Sequence, residues 1–464
     1  MVTETQPDVA TGRLTITVRA AITIEGALPA PVRLAICAAL TVRNPAYMDA
    51  LAHDRSTRDI EPWLVYYRRS AGGSLVVPRG AGDIVRALCN EHGVRYTVVS
   101  ATHTAAPVLF DERVTLSQAQ ERAVGDMLTR PRGVLEAPAG SGKTIMAMAL
   151  IARRRQPALL IVHTRELAHQ AIARAVAVLG LDEADLGLVG DGQCRVGERL
   201  TVALVQTLAR GIPSALRTVG HVIVDEAHHC PAEQMAAVVA QFPARYLLGL
   251  TATPYRRDKL DRVIHFYLGP VQARIDKADL ADRLIAPRII KRDTGLRPDG
   301  DSFTELVSEL VVWPERNALI ADDVVQAVAA GRRCLVLSER VGHVQELTRL
   351  LQERGMAAAA LYGSLGKKVR GQVVEDLGTG ALDVAVATGS LVGEGFDCPR
   401  LDALFLTTPV SYHGRVVQYL GRVSRTAPGK TDAVVYDYTD DHPMLWASYR
   451  NRSGVYRASR NGAA

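Results

Sequence analysis

No two cysteines in this chain are spaced as C-x-x-C; the six present, Cys37, Cys89, Cys194, Cys230, Cys334 and Cys398, stand singly. That scatter argues against both a disulfide framework and a zinc site. Cys230 follows His228 and His229, yet further ligands at the spacing of a metal site are missing. The chain also lacks any apolar run of the roughly 18–20 residues needed to span a bilayer. The stretch from Val9 to Ile24 is punctuated by Thr and Arg, so it reads as strand rather than as a secretion signal. A cytoplasmic protein without a membrane partner is expected. What is present is ordinary for a soluble globular chain: 48% apolar and 22% charged residues. At 464 residues it is too long for one core, and two to three domains are expected. The net charge of +6 is carried almost wholly by arginine. It fits either a basic protein of an arginine-rich proteome or a footprint for a phosphate backbone.

Residues 1–110 show short alternating runs, Leu14–Val18 and Ala21–Ile24, then a helical stretch from Pro31 to Leu40. A strand-like Ser74–Val77, a turn at Pro78-Arg-Gly80 and a helical Asp83–His92 come next. This is an accessory α+β domain. Residues 111–290 alternate buried strands (Gly133–Glu136, Ala158–Val162, Thr201–Val205, His221–Val224, Tyr246–Leu250) with helices such as Arg165–Leu179. That alternation predicts a parallel sheet covered on both faces. Residues 291–445 repeat the theme, with strands at Cys334–Leu337, Ala357–Leu361, Asp383–Val386, Ala403–Leu406 and Ala433–Tyr436. The Pro/Gly-containing stretch Ala286–Gly300 reads as a linker, and residues 446–464 as a loose C-terminal tail. The fold class is α/β, with two parallel-sheet domains in tandem.

Two motifs carry chemistry by themselves. Ala137-Pro138-Ala139-Gly140-Ser141-Gly142-Lys143-Thr144 follows a strand and opens a helix, the context a phosphate-binding loop requires. Its backbone N–H groups and the helix N-terminus favour a polyphosphate. Lys143 is placed to pair with the β- and γ-phosphates of ATP, and the Thr144 hydroxyl to ligate Mg²⁺. The strict pattern opens with Gly; here Ala137 takes that place. Val222-Ile-Val-Asp225-Glu226-Ala-His228 ends a buried strand in two carboxylates. Asp225 can hold the Mg²⁺ water shell, and Glu226 can orient and polarise the attacking water.

With these motifs in this order, the chain resembles the superfamily 2 helicases of the DEAH-lettered kind, over residues 111 to about 440. The resemblance implies two RecA-like domains, and roles for further residues. Leu116-Ser-Gln-Ala-Gln120 resembles the element whose glutamine reads adenine. Val162-His-Thr164-Arg165-Glu-Leu167 and Val205-Gln206-Thr207-Leu208 resemble the motifs that grip nucleic-acid backbone. Thr251-Ala-Thr253-Pro254 resembles the motif that links hydrolysis to strand movement. In Thr388-Gly389-Ser-Leu-Val-Gly-Glu-Gly395-Phe-Asp397, the first pair would meet a nucleic-acid phosphate, and Gly395 and Asp397 the nucleotide. Gln418-Tyr-Leu-Gly-Arg422-Val-Ser-Arg425 fits the last motif, in which Gln418 takes part in coupling. Its two arginines, one helical turn apart, would reach the γ-phosphate.

The lettering is nearer to XPB-like repair helicases, phage recombination helicases and restriction-enzyme motors than to DEAD-box RNA helicases. That likeness implies a DNA motor with 3′-to-5′ polarity. Short strings near the front (Asn44-Pro-Ala-Tyr47, Arg55-Ser-Thr57, Pro78-Arg-Gly80) resemble helicases of phages, transposons and conflict systems. Trp63, Tyr66, Tyr67 and Arg68 form either a base-stacking surface or an ordinary aromatic core. An RNA helicase stays open, as does an ATP-gated module that recruits a nuclease in repair or defence. No nuclease, methyltransferase or primase motif is visible, so such chemistry would need a partner.

Overall fold

The computed structural model describes residues 14–138, 140–227, 232–252, 260–276, 279, 285–389, 391, 398–410 and 413–460. The chain divides into two compact units, one of residues 1–137 with 143–274, the other of 138–142 with 275–464.

The front of the first unit holds β1 (Leu14–Val18), β2 (Ala21–Glu25), β3 (Thr41–Arg43), β4 (Trp63–Val65), β5 (Arg68–Arg69), β6 (Leu75–Pro78) and β7 (Tyr96–Ser100). Five of them form a sheet in the order β5-β6-β2-β1-β7, antiparallel except for the β1–β7 pair. Alternate residues Leu14, Ile16, Ile22 and Ile24 are buried with Val32 and Ile36 of the Ala30–Ala39 helix and Val85 and Cys89 of the Gly82–Glu91 helix. The period-2 pattern of these strands places one face in the core. That core is not self-contained. Val263 and Phe266, from the Asp261–Leu268 helix far along the chain, belong to the same buried cluster. The expectation of a separate domain at residues 1–110 is corrected accordingly: this region shares its core with the Asp261–Leu268 helix of the neighbouring parallel-sheet domain. Tyr66 packs there too, with its ring 5.6 Å from Phe266 and 6.4 Å from Tyr267. Trp63 instead stays 46% exposed, under the Arg43 guanidinium at 4.0 Å.

The rest of the first unit contributes β8 (Arg132–Glu136), β9 (Ala158–Val162), β10 (Leu186–Gly190), β11 (Gln193–Arg195), β12 (Leu200–Leu204), β13 (His221–Val224), β14 (Tyr246–Thr251) and β15 (Val271–Arg274). They form one sheet in the order β11-β10-β12-β9-β13-β14-β8-β15, parallel except at the β10–β11 hairpin. Every residue of β9, β12 and β13 is buried. Helices on both faces exclude water there, and continuous aliphatic runs are what such strands require.

The second unit holds β16 (Arg288–Asp293), β17 (Cys334–Ser338), β18 (Ala358–Leu361), β19 (Val384–Thr388), β20 (Ala403–Leu406) and β21 (Val434–Thr439). The sheet is parallel throughout, in the order β16-β21-β20-β17-β19-β18. Phe405 is fully buried and stacks on Tyr436 at 4.5 Å; truncating such a ring costs about 3–5 kcal/mol.

Two expectations fail here. The stretch Ala286–Gly300 is not a plain linker, because Arg288–Asp293 pairs along its whole length with β21; the boundary lies near residue 275 rather than 291. Nor is the chain end a loose tail. Pro443–Arg460 is one helix, and its Arg452 is 2% exposed, donating to both carboxylate oxygens of Asp437 at 2.9 and 2.8 Å. Tyr456 donates to the same carboxylate at 2.6 Å. A helix whose sequence looks polar is held by buried ionic contacts that no local pattern announces.

Candidate functional site

Parallel strands deliver their C-terminal ends, and the loops after them, to one edge of a sheet. In the first unit that edge collects β8, β13 and β14. Ala137 follows β8, and the Lys143–Arg154 helix begins after the loop 138–142. Gly140 and Gly142 adopt φ of 85° and 83°, the left-handed region open to glycine. Lys143 is 8% exposed and its Nζ donates to the Ala137 carbonyl at 3.1 Å. The same Nζ lies 3.4 Å from Glu226 Oε1. Thr144 stands in the first turn of the helix, half-buried.

Glu226 reaches this position through a backbone φ of +45°. For a residue with a Cβ that conformation costs about 1 kcal/mol or more, and it is kept where the surroundings dictate it. They do so here. Asp225 N donates to Ile161 O at 2.9 Å, Ala227 N donates to Leu250 O at 2.9 Å, and Glu226 N donates to Asp225 Oδ1 at 2.9 Å. Burial, and then the neighbouring Glu226 charge, push the Asp225 carboxyl up to about 6; Lys143 acts the other way. Two adjacent, shielded acids beside one lysine form a donor set that suits a divalent cation, which would return Asp225 to its ionised state. Asp225 and Thr144 are the residues that could hold Mg²⁺; ATP is the matching substrate.

Gln120 is 3% exposed and caps its own helix: Ser117 N donates to Gln120 Oε1 at 2.9 Å and Gln120 N donates to Ser117 Oγ at 3.4 Å. Thr251 closes β14, 2% exposed, and its carbonyl accepts from Ala137 N at 2.9 Å.

The residues expected to grip nucleic-acid backbone come together at the same edge. Thr164, Arg165, Gln206 and Thr207 line one cavity of about 480 Å³, together with Asp191 and Arg210. Thr164 Oγ1 accepts from Leu167 N at 3.3 Å and caps the Arg165–Leu179 helix. Gln206 Nε2 donates to His163 O at 2.8 Å, tying the two motifs to each other. An exposed arginine at a capped helix N-terminus suits a phosphate. Sequence reasoning missed Asp191, whose Oδ1 is 3.1 Å from Arg165 and Oδ2 3.0 Å from His169. It also missed Arg210. The turn Gly190-Asp-Gly192 was a legible signal, but nothing in it named a partner.

In the second unit, Thr388 ends β19 with its hydroxyl buried and without a hydrogen-bond partner among the described residues. A side chain at Gly389 would strike the Tyr419 hydroxyl and the Glu339 carboxylate. Glu339 in turn pairs with Arg415 at 3.0 Å. Val416, Tyr419, Leu420 and Val423 are the buried face of the His413–Val423 helix, which leaves Arg415, Gln418 and Arg422 on its half-buried side. Arg425 departs from expectation: the helix ends at Val423, so Arg422 and Arg425 do not share one helical face. Ala139, Thr253, Gly395 and Asp397, with the His228-His-Cys230 string, lie outside the described residues. No described helix is long and apolar enough to cross a membrane.

Comparison with known proteins agrees with this geometry. Residues 113–256 match the family described as type III restriction enzyme, res subunit, and residues 318–427 match the helicase conserved C-terminal domain. The chain is 25% identical over 327 residues to the Escherichia phage T5 protein described as "Probable helicase D10", covering 70% of this chain and 71% of that one. It is 29% identical over 184 residues to "DNA 3'-5' translocase XPB2" of Sulfurisphaera tokodaii, covering 40% of this chain and 41% of that one. Among solved structures it resembles Saccharomyces cerevisiae Dbp5 bound to RNA and ADP BeF3, with a TM-score of 0.56, 14% identity, and 75% and 94% of the two chains covered; at that identity the likeness speaks for the fold alone. The fold is a pair of RecA-like parallel-sheet domains in tandem with an N-terminal α+β region, and the chain belongs to the superfamily 2 helicases, a family of ATP-hydrolysing nucleic-acid enzymes.

Proposed function

We propose that this protein is an ATP-dependent DNA helicase or translocase, coupling hydrolysis to movement on, or remodelling of, duplex or branched DNA. The observation that carries the reading is the pairing of Lys143 with Glu226 at 3.4 Å, beside a shielded Asp225, on the sheet edge that also carries the Thr164/Arg165/Gln206/Thr207 cavity. A phosphate-binding lysine, a base for water and a backbone grip on one edge are what a nucleic-acid-driven ATPase needs.

In this reading Lys143 and the amides of residues 139–144 (Ala139 among them) hold the β- and γ-phosphates. Bound through Thr144 and the Asp225 water shell, Mg²⁺ would screen their negative charge. Glu226 exchanges Lys143 for the attacking water, orients it, and accepts its proton as the water oxygen bonds to the γ-phosphorus and the bridging bond to the β-phosphate oxygen breaks, which leaves ADP and inorganic phosphate. Arg422 and Arg425 neutralise the charge spreading over the transferred group; trans-acting arginines of this kind contribute about 10³–10⁵ in rate. Gln120 reads adenine, and Gly395 and Asp397 contact the nucleotide. Thr164, Arg165, Gln206, Thr207, Thr388 and Gly389 grip phosphates of the track. Thr251, Thr253 and Gln418 carry the change at the γ-phosphate to those grips, so that one cycle shifts one grip against the other.

The relative described as a DNA translocase supports DNA as the track. ATPase activity measured with single-stranded, duplex and forked DNA and with RNA tests it. Stimulation by duplex or forked DNA is expected, and stimulation by RNA alone would overturn the reading. ATP-dependent displacement of a third strand from a triplex separates a motor from a gated module that only recruits a nuclease.

A further inference from the structure

The N-terminal α+β region does more than sit beside the first parallel sheet: it holds β14 at its root. The Arg79 side chain is 3% exposed. Its guanidinium donates to the carbonyl of Ala244, and to that of Arg245 at 2.6 Å, the two residues that lead into β14. His103 adds a backbone clasp there, with His103 N donating to Pro243 O at 2.6 Å and Arg245 N donating to His103 O at 2.7 Å. Gly80, next to Arg79, leaves no room for a side chain, because a Cβ would lie 2.5–2.7 Å from Gly269 N, His265 O and Phe266 O. That contact, the tilted Tyr66–Phe266 ring contact and the Arg262 donation to Ala39 O at 3.3 Å fix the Asp261–Leu268 helix. One region thus grips both sides of the segment that contains Thr251.

The far end of β14 is where the chemistry is gathered. Leu250 O accepts from Ala227 N, and Thr251 O accepts from Ala137 N, both at 2.9 Å. Ala227 follows Glu226. Ala137 presents the carbonyl on which Lys143 rests at 3.1 Å. The last two carbonyls of one strand therefore hold the peptides on both sides of the Lys143–Glu226 pair. A six-residue strand spans about 17–20 Å, and it is stiff along its length because every residue is tied into neighbouring strands.

We propose that Arg79 is a positioning residue of the ATPase: by anchoring the start of β14 it sets the register of Ala137 and Ala227, and through them the approach of Lys143 to Glu226. Its guanidinium is well chosen for the task, since two carbonyls can be held in one plane and a lysine can reach only one at good geometry. Burial pushes the Arg79 guanidinium down to about 10, still charged at neutral pH. Load on the N-terminal region, whatever its source, would reach the hydrolytic pair along this strand. The inference rests on the ATP-site reading but not on the choice of DNA as track.

Hydrogen exchange and steady-state ATPase kinetics on the full-length chain test it, with Arg79→Ala, Arg79→Lys and, as a control on an exposed neighbour, Arg86→Ala. In Arg79→Ala the amides of Ala137 and Ala227 are expected to exchange at least about tenfold faster while Val336 in the second unit is unchanged. Its kcat should fall about tenfold with KM for ATP moved less than about twofold, and Arg79→Lys should recover part of both. Arg86→Ala should match wild type. Unaltered exchange at Ala137 and Ala227 in folded Arg79→Ala would overturn the proposal. So would faster exchange spread evenly over the first unit, which marks a merely structural residue. Should Arg79→Ala fail to fold, Arg79→Lys is read by the same criteria. The exchange experiment uses neither nucleotide nor nucleic acid, so an error in the DNA reading leaves its result standing.

Discussion

Lys143 and Glu226 face each other at 3.4 Å, and each is held by a peptide that β14 fixes. The lysine waits on an acid and a carbonyl, contacts it can exchange for phosphate oxygens without leaving a buried charge alone. Such a pre-paired arrangement keeps the pocket organised before its ligand arrives.

Removing either side of the reaction should separate binding from turnover. Lys143→Ala is expected to abolish nucleotide binding, and with it all ATPase. Arg425→Ala should bind ATP and DNA as wild type does and lose turnover by about 10³-fold or more. Fluorescent-nucleotide titration beside an ATPase assay checks both. Normal hydrolysis by Arg425→Ala would refute the role given to the second unit.

Asp225 links the site to pH. Its folded-state carboxyl, pushed up to about 6 from an ordinary value near 3.8, binds a proton more tightly than in the unfolded chain. Its contribution to stability is therefore fully present below about pH 4 and is lost as pH rises to about 6. Asp225→Asn removes the charge that is unfavourable above that range. The nucleotide-free variant is expected to melt higher than wild type at pH 7.5, by up to about 3 kcal/mol, and no higher at pH 4, while hydrolysis is lost. Scanning calorimetry at the two pH values reads this, and equal melting at pH 7.5 would count against a shielded Asp225.

The acid limb at other positions has the opposite sign. Burial, with Arg316 second, pushes the His343 imidazole down to about 3; it bridges Ser338 Oγ at 2.9 Å and Asn317 Oδ1 at 3.0 Å. Stability from this neutral ring is present above about pH 6.5 and is lost as pH falls towards 3. Replacing it by His343→Gln should flatten the fall in unfolding free energy below pH 6.5 by about 1.4 kcal/mol per pH unit. Urea unfolding at a series of pH values measures the slope.

DNA affinity should fall steeply with salt. Arg165, 67% exposed at its side chain, is expected to act through a phosphate: Arg165→Ala should weaken binding to all sequences alike and lower the log–log salt slope by about one. An unchanged slope would take Arg165 out of the interface.

Arg452 and Asp437 form an ion pair with side-chain exposures of 2% and 0%. Arg452→Met should destabilise the second unit by about 3–5 kcal/mol, because Asp437 is left buried beside Tyr456 without its cation. Adding Asp437→Leu to it should return part of that loss. Thermal melting of the single and double variants gives the coupling.

Much of the site could be read from the letters because its parts are local. A strand, a glycine-bearing turn and a helix lie consecutively from Arg132 to Arg154, and backbone geometry alone places Lys143 and Thr144 after the turn. Asp225 and Glu226 close an apolar strand, so their position at a sheet edge follows from the pattern of four residues. The parallel sheets were legible for the same reason, since fully buried strands leave unbroken aliphatic runs.

Features that depend on contacts between distant segments could not be read that way. The Pro443–Arg460 helix is polar enough to pass for a tail, and it is Asp437 that makes Arg452 a core residue. The Arg288–Asp293 strand looks like a linker until β21 supplies its hydrogen bonds. The N-terminal region acquires part of its core from Phe266, a residue whose neighbour in space lies some two hundred positions away in the chain. Periodicity and motif spacing determine which groups stand at strand ends; only the tertiary fold decides which buried charges are paired and which peptides are held. Those energies come from desolvation and hydrogen bonding between segments that share no local pattern.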